Sequence, residues 1–100
     1  MIYAIDFDGT LCTNAYPNIG KKRRKWIAYT KRRKKQGHKI ILWTCRVGDK
    51  LTEAVQWCKH QGIYFDAINE NLQSRIDIYG GDTRKISADF YVDDRNIRIK

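Results

Sequence analysis

Short apolar runs alternate with longer amphipathic stretches along this chain. Met1-Ile2-Tyr3-Ala4-Ile5 opens a run that predicts a buried strand over residues 2–7. Residues 22–36 predict a helix, with Trp26, Ile27, Tyr29 and Thr30 as a thin apolar stripe and Gly37 as its stop. Ile40-Ile41-Leu42-Trp43 predicts a second strand over 39–44, apolar enough to be covered on both faces. Asp49 is the expected N-cap of a helix running from residue 50 to about 61, whose stripe is Leu51, Ala54, Val55 and Cys58. A weaker third strand is expected at 63–68 and a fourth at 88–92, followed by a short tail at 95–100. Residues 69–81 show no clear period and read as a long loop or a short irregular helix.

Strands that alternate with helices imply a parallel sheet with right-handed crossovers, and so an α/β fold. In open sheets of this kind ligands sit beyond the carboxyl ends of the strands. Three strand ends here are polar: Asp6-Phe7-Asp8, Thr44-Cys45-Arg46 and Asp93-Asp94. One such end means little, because an Asp-Gly turn is a common way to close a strand. Three at one predicted sheet edge form a constellation.

The chemistry of that constellation follows from its residue types. A phosphate monoester repels anionic nucleophiles unless cations neutralise it. Magnesium suits that role, since it binds a few carboxylates together with phosphate oxygens. Asp6 is then the candidate nucleophile and Asp8 the candidate general acid and base. Asp93 and Asp94, with Asp6, are the expected metal ligands. Thr44 can donate a hydrogen bond to a phosphoryl oxygen, and Lys85 can add a fixed positive charge. Arg84 or Arg75 can fill the same cationic role. Cys45 and Arg46, beside Thr44, are candidate substrate-binding residues. Read singly, Thr44 is a strand-end threonine and Lys85 a solvated lysine.

Asp6-Phe7-Asp8-Gly9-Thr10, Thr44 after Ile41-Leu42-Trp43, Lys85 before the last strand, and Asp93-Asp94 after Phe90-Tyr91-Val92 match in order the four motifs of a known family. The chain resembles the haloacid dehalogenase-like superfamily of phosphotransferases. The resemblance spans residues 2–94. It implies a Rossmann-like three-layer fold with a short parallel sheet of about four strands, in a single domain over residues 1–100. It also implies an aspartyl-phosphate intermediate and a magnesium site that uses the Asp8 carbonyl. A second acid at Asp8 marks phosphatases and mutases of the superfamily. The gaps after Thr10 and between the third and fourth strands are too short for the usual cap domain. The resemblance is therefore to a capless member, whose open site suits a macromolecular substrate or closure by a neighbouring subunit. The helix and strand that often follow the fourth motif are missing, so the sheet edge is expected to be bare or paired with another copy in a homo-oligomer.

Charge changes the picture next. The formal net charge is +9, and ten of the twenty basic residues lie between Lys21 and Lys35. Such a run attracts polyanions, nucleic acid above all, or it is simply a solvated helix face. Its lysines and arginines also oppose the dipole at the front of the helix. The candidate substrate is thus a nucleotide or a phosphorylated nucleic-acid end. The alternatives are a catalytically retired fold that binds nucleic acid, and an interaction module that uses the sheet edge. A binder of polyanions would gain by losing Asp6, Asp8, Asp93 and Asp94, which are all present. No base-stacking motif is evident in the sequence.

Other features exclude more than they assign. His38 and His60 lack partners at zinc-ligand spacing. Cys12, Cys45 and Cys58 are odd in number, lack a CxxC spacing and fit reduced thiols. No apolar run approaches the roughly 20 residues of a membrane span. The start lacks the basic and cleavage regions of a signal peptide, so a cytoplasmic protein without a membrane partner is expected.

Overall fold

The computed structural model describes residues 1–97 and 99; Arg98 and Lys100, in the predicted tail, lie outside the described residues. The elements run β1 (Ile2–Ile5), α1 (Arg24–Lys35), β2 (Lys39–Leu42), α2 (Gly48–His60), β3 (Ala67–Ile68), α3 (Gln73–Tyr79) and β4 (Phe90–Val92). The four strands form one sheet in the order β3-β2-β1-β4, with every pairing parallel. The fold is the expected α/β, Rossmann-like arrangement. Among the described residues, no helix is long and apolar enough to cross a membrane.

Alternation along the strands explains the two cores. Tyr3, Ile5, Ile40 and Leu42 face a cluster shared with Ile27 of α1 and with Ala54 and Cys58 of α2. Ile2, Ala4, Ile41 and Ala67 face the other way, onto Ile86 and Leu72. The pairing of Tyr3 with Ile40 and of Ala4 with Ile41 keeps like faces together. The layer on the second face is thin. None of the α3 residues is buried, and Leu72 and Ile86 on the flanking segments do the covering.

The chain leaves β1 towards β2 and β3, and returns to the other side of β1 to place β4. The direction of winding therefore reverses between β1 and β4. A crevice opens at such a reversal, beyond the carboxyl ends of the two strands. Asp6 and Asp8 follow β1, and Asp93 and Asp94 follow β4.

Several boundaries differ from those expected, each for a local reason. The third strand shrinks to two residues because Asp66 replaces a ladder rung. Its Oδ2 accepts the Ile40 N–H at 2.8 Å, while its own N–H bonds the Ile40 carbonyl. Asp89 repeats the device before β4: its Oδ2 accepts the Ile2 N–H at 2.7 Å, and its N–H bonds the Ile2 carbonyl. Both outer strands thus begin with an aspartate that pins them to an inner strand. Asp49 is not the cap of α2: Val47 holds that position in extended backbone, and Asp49 lies in the first turn, where it still favours the helix dipole. The aperiodic 69–81 stretch does carry a helix, α3, closed by Gly80 in the left-handed conformation. Buried Asn71 organises the 82–87 segment beyond it, since its side-chain amide bonds Asp82, Thr83 and the Ser87 N–H.

The Asp66 carboxylate also meets Lys34 at 2.6 Å, tying α1 to the sheet edge. Burial alone would raise Asp66, but Lys34 and the Ile40 N–H outweigh it and hold the carboxyl below its ordinary value. A lowered carboxyl contributes stability above its unfolded pKa and loses it as pH falls through the folded one. Asp66→Ala should therefore cost about 1–3 kcal/mol at neutral pH. Urea unfolding should show that gap narrowing below about pH 4, where the unfolded carboxyl protonates.

Candidate active site

At the end of β1 the chain turns tightly. The N–H groups of Thr10 and Leu11 bond the Phe7 carbonyl, and the Gly9 N–H bonds the Cys12 carbonyl. Gly9 has φ +88°, and a Cβ there would come within 2.2 Å of an Asp94 carboxylate oxygen. Glycine is required twice over, by backbone sign and by the approach of Asp94. Arg23, just ahead of α1, secures the turn: its N–H bonds the Leu11 carbonyl and its guanidinium bonds the Gly9 carbonyl. The basic front of α1 is therefore anchored by a residue of that same basic run.

The turn brings three carboxylates together. Asp6, Asp93 and Asp94 each offer an oxygen, and these atoms lie within 4.8 Å of one another. Asn14 donates to Asp94 at 3.4 Å, and the Arg95 N–H bonds Asp93 at 2.8 Å. Asp6 is half-buried. Desolvation pushes its carboxyl up to about 7, and the charges of Asp93, Asp94 and Asp8 push the same way against the Phe7 N–H. A group so placed holds a proton more readily than an ordinary carboxyl, and a cation beside it would favour the ionised form. The cluster lines a cavity of about 460 Å³ together with Asp8, Thr44, Cys45 and Arg46.

Asp8 stands apart from the three because Arg46 claims it. Arg46 Nε and Nη2 donate to the two Asp8 oxygens, each at 2.8 Å. Nη2 also donates to the Asn18 carbonyl at 2.9 Å, and Nη1 reaches the Pro17 and Lys50 carbonyls, each at 3.4 Å. All five guanidinium hydrogens are thereby spent. The guanidinium carbon lies over the rings of Phe7 and Tyr16, 5.0 and 5.1 Å from their centres. The side chain is 1% exposed. Hydrogen bonding to Asp8 holds the guanidinium above its ordinary value. The sequence position of Arg46 suggests a substrate ligand, yet it has no donor left to offer. It orients Asp8 and fastens the 14–18 loop beside the cavity. Each Asp8 oxygen still has lone pairs to spare.

Thr44 lies as expected at the cavity. Its N–H bonds the Asn69 side chain at 2.8 Å, and its hydroxyl accepts the Arg46 N–H at 3.2 Å, which leaves the hydroxyl proton free to donate. Asn69 has φ +53°, a left-handed conformation that asparagine tolerates, and it fixes the 44–46 turn. Cys45 is exposed and lines the cavity. Cys12 and Cys58 are buried away from chemistry, and burial pushes the Cys58 thiol up to about 12.

Lys85 is not brought to the cavity. It is exposed, with its ammonium 6.0 Å from the centre of the Tyr91 ring. The cause is Asn71, which ties the 82–87 segment to the second face of the sheet. Arg84 is exposed outside the cavity, and Arg75 faces Asp89 at 3.7 Å, at the opposite end of β4. Arg95 lines the cavity instead and, among the described residues, is the cation whose donors remain available there. Only its place after Asp93-Asp94 could have singled it out in the sequence.

Arg46→Lys should lower stability by roughly 2–4 kcal/mol, because a lysine cannot satisfy both Asp8 oxygens and three carbonyls. Lys85→Met should leave stability within about 0.5 kcal/mol, as for an ordinary surface change. Chemical denaturation of the two variants decides between a buried strut and a free substrate ligand at position 46.

No family model matches the chain, and no curated protein matches it. Among solved structures it is similar to a conserved protein coded by a locus of Bacteroides thetaiotaomicron, with a TM-score of 0.86 and 37% identity over 97% of this chain and 78% of that one. Identity at that level, over nearly the whole fold, means that this chain belongs to the same family as the Bacteroides protein.

Proposed function

We propose that the protein is a magnesium-dependent phosphomonoester hydrolase of the haloacid dehalogenase-like kind, acting through an aspartyl-phosphate on Asp6. The observation that carries this reading is the convergence of Asp6, Asp93 and Asp94 at the reversal between β1 and β4, with Thr44 on the adjoining strand end. The donor set fits a hard divalent cation: three carboxylates, with oxygens within 4.8 Å and no sulfur or imidazole in the group. Asp6, Asp93 and Asp94 would hold the ion. Bound there, magnesium would neutralise charge on the cluster and on the phosphoryl oxygens.

The protein's own residues account for the remaining steps. An Asp6 oxygen attacks phosphorus, and the bond from phosphorus to the ester oxygen breaks. Asp8 gives that oxygen its proton. Water then attacks the phosphorus of the aspartyl-phosphate while Asp8 takes a proton from it. Inorganic phosphate leaves and Asp6 is restored. Arg46 keeps Asp8 aimed through both half-reactions. The Thr44 hydroxyl donates to a phosphoryl oxygen, and Arg95 supplies the positive charge expected of Lys85.

Phosphate release from p-nitrophenyl phosphate in magnesium tests the reading. Asp6→Asn should fall to background, and Asp8→Asn should lose about 10²-fold or more. Excess chelator should abolish turnover, and Asp93→Asn should raise the magnesium requirement more than Asp94→Asn. An Asp6→Asn protein within a few-fold of the parent would rule out the covalent route.

A further inference from the structure

A second groove, of about 580 Å³, shares Asp93 and Asp94 with the acid cavity and is otherwise lined by α1, the exposed edge strand β4, and Thr10, Arg23 and Asn96 beside them. Its walls are aromatic: Trp26 and Tyr29 from α1, Phe90 and Tyr91 from β4. Phe90 is 47% exposed and Tyr91 39%, large values for aromatic residues of a strand. The rings are held in place by one another. Trp26 meets Tyr29 edge-on at 5.4 Å, and Phe90 stacks on Tyr3 at 5.0 Å. The Lys25 ammonium lies 5.3 Å from the Trp26 ring centre. Arg23, of the same basic run, lines the groove, whereas Lys22 and Arg24 line a separate cavity along α1.

Thr10 adds an independent observation. It lines this groove and is only 3% exposed, yet its hydroxyl has no hydrogen-bond partner among the described residues. A buried hydroxyl without a partner is costly unless something else satisfies it.

From this juxtaposition we infer that the groove binds single-stranded nucleic acid: a nucleobase stacks on Phe90 and Trp26, the strand backbone passes Arg23 and Lys25, and the terminal phosphate reaches the acid cavity. Only the last contact rests on the phosphatase reading. Exposed rings beside a basic track are how sequence-tolerant single-strand binders work. Charge selects this occupant over a second copy of the chain, which carries the same +9 and would be repelled. The stacking platform was invisible in the sequence because Trp26 and Tyr29 lie far along the chain from Phe90.

Fluorescence anisotropy with labelled hexathymidylate ending in a 3′-hydroxyl tests the inference without any turnover. The parent should bind it more tightly than an abasic hexamer with the same backbone, and binding should weaken with salt. Phe90→Ala should weaken hexathymidylate binding by roughly fivefold or more and erase the preference over the abasic strand. Phe90→Trp should restore both. Hydrolysis of p-nitrophenyl phosphate should be unchanged in both variants, so a failed phosphatase assay and a failed stacking assay are separate results. Equal binding of the two hexamers by the parent, an unaffected Phe90→Ala, or no binding at all would overturn the inference. A parent that self-associates through Phe90 in place of binding the strand would overturn it too.

Discussion

Three carboxylates held with their oxygens inside 4.8 Å, one of them half-buried, are the constraint around which the rest of this structure is arranged. Like charges so close repel, and burial adds a desolvation cost. The fold keeps them together by geometry. The reversal of winding sets the ends of β1 and β4 side by side, and the Gly9 turn lets Asp94 approach where any side chain would collide with it. Such an arrangement opposes stability unless a cation or proton relieves it.

Arg46 answers the one acid that escapes the cluster. It draws Asp8 away from Asp6, Asp93 and Asp94, and so sets one carboxylate apart from the three that cluster. The same guanidinium binds the loop that carries Tyr16 and Asn18. Position of the acid and shape of the cavity mouth therefore depend on one side chain.

The parallel sheet and its polar strand ends were legible because periodicity and strand-end chemistry are local. Asp6, Asp8, Thr44, Asp93 and Asp94 all lie where the alternation of strands and helices put them. Illegible were the contacts that join distant positions. Asp66 reaches Ile40 across 26 residues, and Asp89 reaches Ile2 across 87. Neither shows in any window of sequence, though each decides where a strand begins. Lys85 matches a motif by its order along the chain alone, and the polar network around Asn71 carries its segment to the far face of the sheet. Arg46 looks like a ligand because it comes soon after Thr44; only the count of its partners reveals a strut.

Calorimetric titration of magnesium into the metal-free protein at neutral pH addresses the central claim most directly. The account predicts one binding event, lost or greatly weakened in Asp93→Asn and in Asp94→Asn, and retained in Lys85→Met. Absence of binding to the parent protein, or binding that survives both aspartate substitutions, would contradict it.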